Sequence, residues 1–283
     1  MIRRMFLTLA VLAVALWMAP AASAQMGPPP VNEADAPFLK GNPWVERIQA
    51  KGVLRVGFDT FRPWAMKAKD GRFVGFEIAV AEALAADMGV APEFVPTAWD
   101  GIIPALLTGN FDIIIGGMGI TEERAKRVAF TEPYIYSGMA ICASRTSAPG
   151  LSTVADFNKK DMTIVVKSGT TAALAAKELF PEANIKEFDD EGQTAQEVRS
   201  GRAQALVASA PYPAELALQN PNEIYVPISG TLTKEPNGMG LAPGDKDALP
   251  ALNAWIEARH KSQWLEKTWS YWFESLQWEP LLQ

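Results

Sequence analysis

The stretch "GGMGITEER", residues 116–124, gathers residue types that can hold an anion without covalent chemistry. Gly116, Gly117 and Gly119 have no side chains to block approach to the backbone, so amide N–H groups at a strand end or helix start can point at a ligand. Arg124 follows within one turn, and a guanidinium matches a carboxylate through two parallel hydrogen bonds. A tight turn followed by a surface arginine has the same spacing, and spacing alone leaves both readings open. A dinucleotide loop is excluded. The third glycine position of G-x-G-x-x-G is Glu122, and the following "TEERAKRV" is short, charged and soon stopped by Pro133.

Catalytic and metal-binding patterns are missing from the sequence. The only histidine, His260, lies in the charged run "EARHKSQ" and reads as a solvated residue. The only cysteine, Cys142, lies in the apolar "GMAICAS" and reads as a buried, inert thiol. There is no G-x-S-x-G, H-E-x-x-H, C-x-x-C or Cys/His cluster, so neither a cofactor nor a metal is expected. Carboxylates such as Asp59 and Glu191 remain the candidates for acid–base work.

The elements that must position these residues alternate. "VLRVGF" reads as a strand and "GFEIAVAEALAADMG" as a helix with Ile78, Ala81, Ala85 and Met88 on one face and Glu82 and Asp87 off it. "EFVPT" is a strand, "WDGIIPALLTGN" a helix capped by Asp100, and "FDIIIGG" a strand. The series repeats as "MTIVV", "TTAALAAKELF", "IKEF", "GQTAQEVRSG" and "AQALVAS". Two such βα series require two α/β lobes with parallel sheets. The extended "YIYSGMAICAS" and the late "NGMGLAP" place the crossings near residues 139 and 237. Lobe 1 is then residues 45–138 plus 237–283, and lobe 2 is residues 139–236, with a two-segment hinge favouring capture in the cleft. The C-terminal "WLEKTWSYWFESLQW" reads as aromatic packing on lobe 1.

Residues 1–24 have two arginines, an apolar run and Ala22-Ser23-Ala24, the anatomy of a secretory signal cleaved before Gln25. Pro-rich residues 25–44 read as a flexible leader. Removing Arg3 and Arg4 with the signal moves the formal net charge from −6 to −8, which argues against a nucleic-acid partner.

"GVLRVGFDTFRPW", "GRFVGFEIAVAEALAADMGV", "EFVPTAWDGIIPALLTGNFDIIIGGMGITEERAKRVAFTEPY" and "VVKSGTTAA" follow in order. Together they resemble the polar amino-acid family of bacterial periplasmic solute-binding proteins, the capturing component of ABC importers. The resemblance implies a two-lobed Venus-flytrap fold, a small-molecule ligand (an amino acid or related carboxylate), an ABC permease as partner, a periplasmic location and a monomer. It implies that Arg124 grips the ligand carboxylate, that Gly117 and Gly119 supply amides but no hydroxyls, and that Gly169, Thr170 and Thr171 face the same carboxylate from a helix start. Phe61 takes the place of a ligand-stacking aromatic, whereas Trp64, Trp99 and Tyr134 read as framework. The chain departs from the pattern at Ser209, where the family usually has an aspartate for the α-ammonium, and at Lys167, where it often has an uncharged residue. Asp59 or an acidic residue of "FDDEG" could substitute; alternatively, loss of Asp and gain of Lys tilt the site toward an anionic ligand, unless Lys167 points to solvent. Some relatives of this fold are cyclohexadienyl (prephenate/arogenate) dehydratases, which is the alternative function.

Overall fold

The helix Pro43–Lys51 shows how closely the local sequence is obeyed. The Asn42 side chain accepts hydrogen bonds from the amides of Trp44 and Val45 at 3.1 and 3.2 Å, proline stands in the first turn, and Gly52 ends the helix in the left-handed region. The structure is a computed structural model and describes residues 37–282; residues 1–24, expected to be a cleaved signal, and residues 25–36 of the expected leader lie outside the described residues. Residues 37–44, read as leader from their composition, are instead packed. Pro37–Leu39 form a 3-10 turn, and Leu39 and Trp44 are buried in the same core as the C-terminal helices, because their apolar surface outweighs the turn-forming prolines around them.

Two five-stranded sheets have the same strand order. In the first, Ala91–Pro96, Val53–Phe58 and Ile113–Ile114 run parallel, followed by Gly240–Leu241, antiparallel to both its neighbours, and Ala129–Phe130. In the second, Asn184–Phe188, Thr163–Lys167 and Ala205–Ser209 run parallel, followed by Met139–Ser144, antiparallel to both its neighbours, and Ile224–Tyr225. The antiparallel strand in each sheet comes from a segment adjoining a crossing. Ile135–Ser137 and Glu235–Asn237 pair as an antiparallel ribbon between the sheets, with Glu235 opposite Ser137 and Asn237 opposite Ile135. Ligands of α/β sheets collect beyond the carboxyl ends of the strands. Here those ends deliver Asp59, Gly116, Lys167 and Ser209 to one region.

Two helix readings need correction. Phe76–Met88 is buried almost all round, not on one face, because the C-terminal helices cover its far side. Asp87, which lay off the apolar stripe, is buried there and accepts from the indole of Trp255 at 2.6 Å and from Arg259. The helix Trp99–Leu107 begins after Ala98, so Asp100 sits inside its first turn and does not cap it. Trp264, Trp272 and Trp278 are buried against lobe 1, and Cys142 is buried with its thiol pushed up to about 12 by burial. No helix among the described residues is long and apolar enough to cross a membrane.

Candidate ligand-binding cleft

A cleft with about 570 Å³ of empty space, part of it open to solvent, lies between the lobes. Lobe 1 lines it with Asp59, Phe61, Trp64, Trp99, Gly116 and Gly117, and lobe 2 with Lys167, Thr170, Thr171, Glu191 and Ser209. Ser137 and Asn237, at opposite ends of the two ribbon strands, also reach it. Seven residues expected from sequence therefore meet here: Asp59, Phe61, Gly117, Lys167, Thr170, Thr171 and Ser209.

Lys167 does not point to solvent. Its Nζ donates to Asp59 Oδ2 at 2.5 Å across the cleft, with the two side chains 12% and 17% exposed. Glu191 adds a second carboxyl to the same wall; its main-chain carbonyl accepts from the Thr194 hydroxyl at 2.7 Å, while the carboxyl itself makes no hydrogen bond or ion pair with any described residue. Burial pushes its pKa up to about 8; Lys167 opposes that rise, and Asp59 and Asp190 add to it. Gaining Lys167 therefore does not leave the cavity cationic, because an acidic residue of "FDDEG" stands beside a lysine already neutralised by Asp59.

Arg124 and Gly119 sit next to this cavity without lining it. The Arg124 guanidinium donates to the carbonyls of Gly119 at 2.8 Å and Gly169 at 3.0 Å, one on each side of the cleft, and lies 5.5 Å from the Trp99 ring. Its long side chain carries the guanidinium to a neighbouring groove of about 930 Å³ that shares Trp99 and Thr170 as walls. Burial pushes its pKa down and the nearby Glu235 opposes this. No carboxylate is within ion-pair distance of it among the described residues; its hydrogen bonds go to main-chain carbonyls, with the Trp99 ring and the more distant Glu235 and Glu123 adding to its stabilisation.

The glycines have separate reasons for being glycine. Gly117 has φ +65°, and a Cβ there would lie 2.7 Å from the Trp64 ring; its carbonyl is taken by Asn237 Nδ2 at 2.8 Å. A Cβ on Gly119 would lie 2.9 Å from the Thr171 methyl of the opposite lobe, so bareness there lets the lobes approach. Thr170 is committed locally: its hydroxyl donates to the Lys167 carbonyl at 2.7 Å and accepts from the Ala173 amide as the cap of helix Thr171–Leu179. Thr171's hydroxyl makes no hydrogen bond within the described residues and lines the cavity. Ser209 Oγ has only a long, 3.5 Å contact to the Ala210 carbonyl.

Sequence reasoning missed several walls. Trp64 and Trp99 line the cavity although both read as framework. Trp64 serves both purposes, packing edge-on against Phe76, Trp269 and Phe273 while its face lies parallel to Phe61 at 6.3 Å. Tyr134 is buried framework, donating to Glu77 at 2.7 Å. Ser137 and Asn237 were marked only by their places at the two crossings, where a connecting ribbon must turn one face to the cleft.

Further contacts hold the lobes together. Trp99 Nε1 donates to the Gly169 carbonyl at 3.2 Å, Phe61 meets Tyr212 edge-on at 6.1 Å, and Arg62 Nε donates to Glu215 at 2.7 Å. Arg62 also binds Glu279 at 2.8 Å and covers the Trp278 ring at 4.6 Å.

Two α/β lobes of equal topology, a ribbon between them and a cavity that mixes aromatic walls with a few polar groups at their strand ends define a solute-binding architecture. The chain belongs to the bacterial extracellular solute-binding proteins, family 3, whose model matches residues 54–275. It is similar to the crystal structure of an ancestral amino acid-binding protein, a precursor of cyclohexadienyl dehydratase, with 41% identity and a TM-score of 0.74 over 81% of this chain and 99% of that one. It is also similar to a putative binding component of an ABC transporter from Wolinella succinogenes complexed with lysine, at 36% identity and a TM-score of 0.75 over 81% of this chain and 99% of that one. The cyclohexadienyl dehydratase of Pseudomonas aeruginosa is 23% identical over 81% of this chain and 86% of its own length.

Proposed function

We propose that this protein captures an amino acid between its lobes and delivers it to an ABC permease, binding it without covalent change. The cavity at the strand ends, with an arginine at its edge whose side-chain hydrogen bonds go to backbone carbonyls, is the observation that carries this reading. The ligand's α-carboxylate exchanges places with the Gly119 and Gly169 carbonyls on Arg124, and Thr171 and the first amides of helix Thr171–Leu179 add donors. Phe61 and Trp64 cover the ligand's apolar part, while Gly117 and Ser209 border its ammonium. The charges favour a polar or cationic side chain over an anionic one, because Asp59 already neutralises Lys167 and Glu191 contributes a further carboxyl. Cleavage before Gln25, a periplasmic site of action, monomeric behaviour and the lobe boundaries at residues 139 and 237 belong to the same proposal.

Arg124→Ala is expected to weaken amino-acid binding at least about tenfold in titration calorimetry, since it strands a carboxylate in the cleft. Unchanged affinity would refute the assignment. The dehydratase reading is favoured by one observation, the raised pKa of Glu191 on the cavity wall, which suits a general acid. A dicarboxylate such as prephenate would need two uncompensated cations, and here Lys167 is already paired. Purified protein is therefore expected to leave prephenate unconverted; acceleration over background would establish the enzyme reading instead.

A further inference from the structure

Glu191 has a position that amino-acid capture alone does not explain. It opens the helix Glu191–Arg199 just after its cap Asp190, and its carboxyl faces the cavity without a partner. The charged and titratable groups around it come from four elements. Lys167 ends one strand, Asp59 follows another across the cleft, Asp190 adjoins it, and Tyr212 begins the helix Tyr212–Gln219. Lys167 donates to Asp59 at 2.5 Å and makes no ion pair with Glu191 among the described residues, although its charge opposes the rise in the Glu191 pKa. Burial and two neighbouring carboxylates disfavour a second negative charge on this wall, which holds Glu191 protonated near neutral pH. Lys167, Asp59, Asp190 and protonated Glu191 then sum to −1, and ionising Glu191 alone would add another negative charge to a wall already acidic. A cation entering between Asp59 and Glu191 sets a positive charge beside the Glu191 carboxyl and lowers the cost of ionising it, so the proton leaves as the cation arrives.

We propose that Glu191 exchanges its proton for a cationic ligand side chain: an ammonium or guanidinium seated between Asp59 and Glu191 displaces one proton to solvent, whereas a neutral carboxamide leaves that proton in place. The step is balanced, with the carboxylic acid becoming a carboxylate, the proton leaving to buffer and the ligand keeping its charge. The inference rests on the amino-acid reading above and names what the side-chain end of that site recognises. It makes affinity for cationic amino acids rise with pH while affinity for neutral ones stays level, because only the former must ionise Glu191.

The test is calorimetric titration of the full chain without its signal, using L-arginine, L-lysine and L-glutamine in two buffers of different ionisation enthalpy. At pH 7 arginine or lysine is expected to release close to one proton more than glutamine, which shares the same α-groups, and the difference is expected to shrink toward zero at pH 9. Glu191→Gln is expected to abolish the difference and to lower arginine affinity at least about tenfold more than glutamine affinity. Binding of arginine or lysine without the extra proton in the natural protein overturns the inference, and this arm does not depend on the variant folding. Release that persists in Glu191→Gln also overturns it. Failure of all three ligands to bind overturns the amino-acid reading itself, and the inference with it.

Discussion

Two carboxyl groups in this molecule are pushed to the same pKa, about 8, and their surroundings differ completely. Glu77 is sealed in lobe 1 at 0% exposure, where burial raises its pKa and the hydroxyl of Tyr134, donating at 2.7 Å, partly offsets the rise. The Glu191 carboxyl stands on the wall of the cleft with no hydrogen-bond or ion-pair partner among the described residues. The raised pKa is common to both, so it cannot mark function. What separates them is access: Glu77 can only hold its proton for the fold, while Glu191 can trade its proton with whatever enters the cleft.

The largest expected difference is in stability. Glu77→Ala removes a buried group and strands the Tyr134 hydroxyl, so it is expected to cost on the order of 2–4 kcal/mol by denaturant unfolding. The same truncation at Glu191 is expected to cost under about 1 kcal/mol, since no partner is left behind. Equal costs would break the comparison. A second difference is in pH dependence. In the folded protein Glu77 keeps its proton up to about pH 8, against an ordinary value of 4.5, so its contribution is fully present below pH 4.5 and is lost as pH rises toward 8. Stability of the natural protein is expected to fall over that window by up to a few kcal/mol, and Glu77→Gln to flatten the fall, as measured by unfolding at pH 5 and pH 8.5. The smallest effect concerns neither carboxyl. Arg62→Ala cuts the contact between lobe 1, Glu215 of lobe 2 and Glu279, and is expected to lower ligand affinity about two- to fivefold while changing stability by no more than about 1 kcal/mol.

Much of the architecture was legible because each βα unit is encoded locally. The helix written in "GFEIAVAEALAADMG" and the repeat of the series need no knowledge of distant residues. The all-round burial of Phe76–Met88 was not legible, since the elements that cover it come from the far end of the chain. The cleft divides in the same way. Its positions were marked by strand ends, and seven of the expected residues line the cavity. The sign of its charge was hidden, because it depends on Lys167 reaching Asp59, 108 residues earlier, and on which residue of "FDDEG" turns inward. Trp64 and Trp99 were misread because a large aromatic can serve core and cavity with different faces.

The carbonyl of Gly169 accepts from both Trp99 and Arg124, two donors of the opposite lobe. On the proposed reading that oxygen is a permanent internal rival of the cargo. A side-chain rival could be deleted by one codon change, but a main-chain oxygen is present whatever residue stands at position 169. Selection could then weaken that particular rival only indirectly, by shifting the loop or replacing Trp99. That share of the competition is inherited with the fold, and it favours a carrier that can release its load as well as seize it.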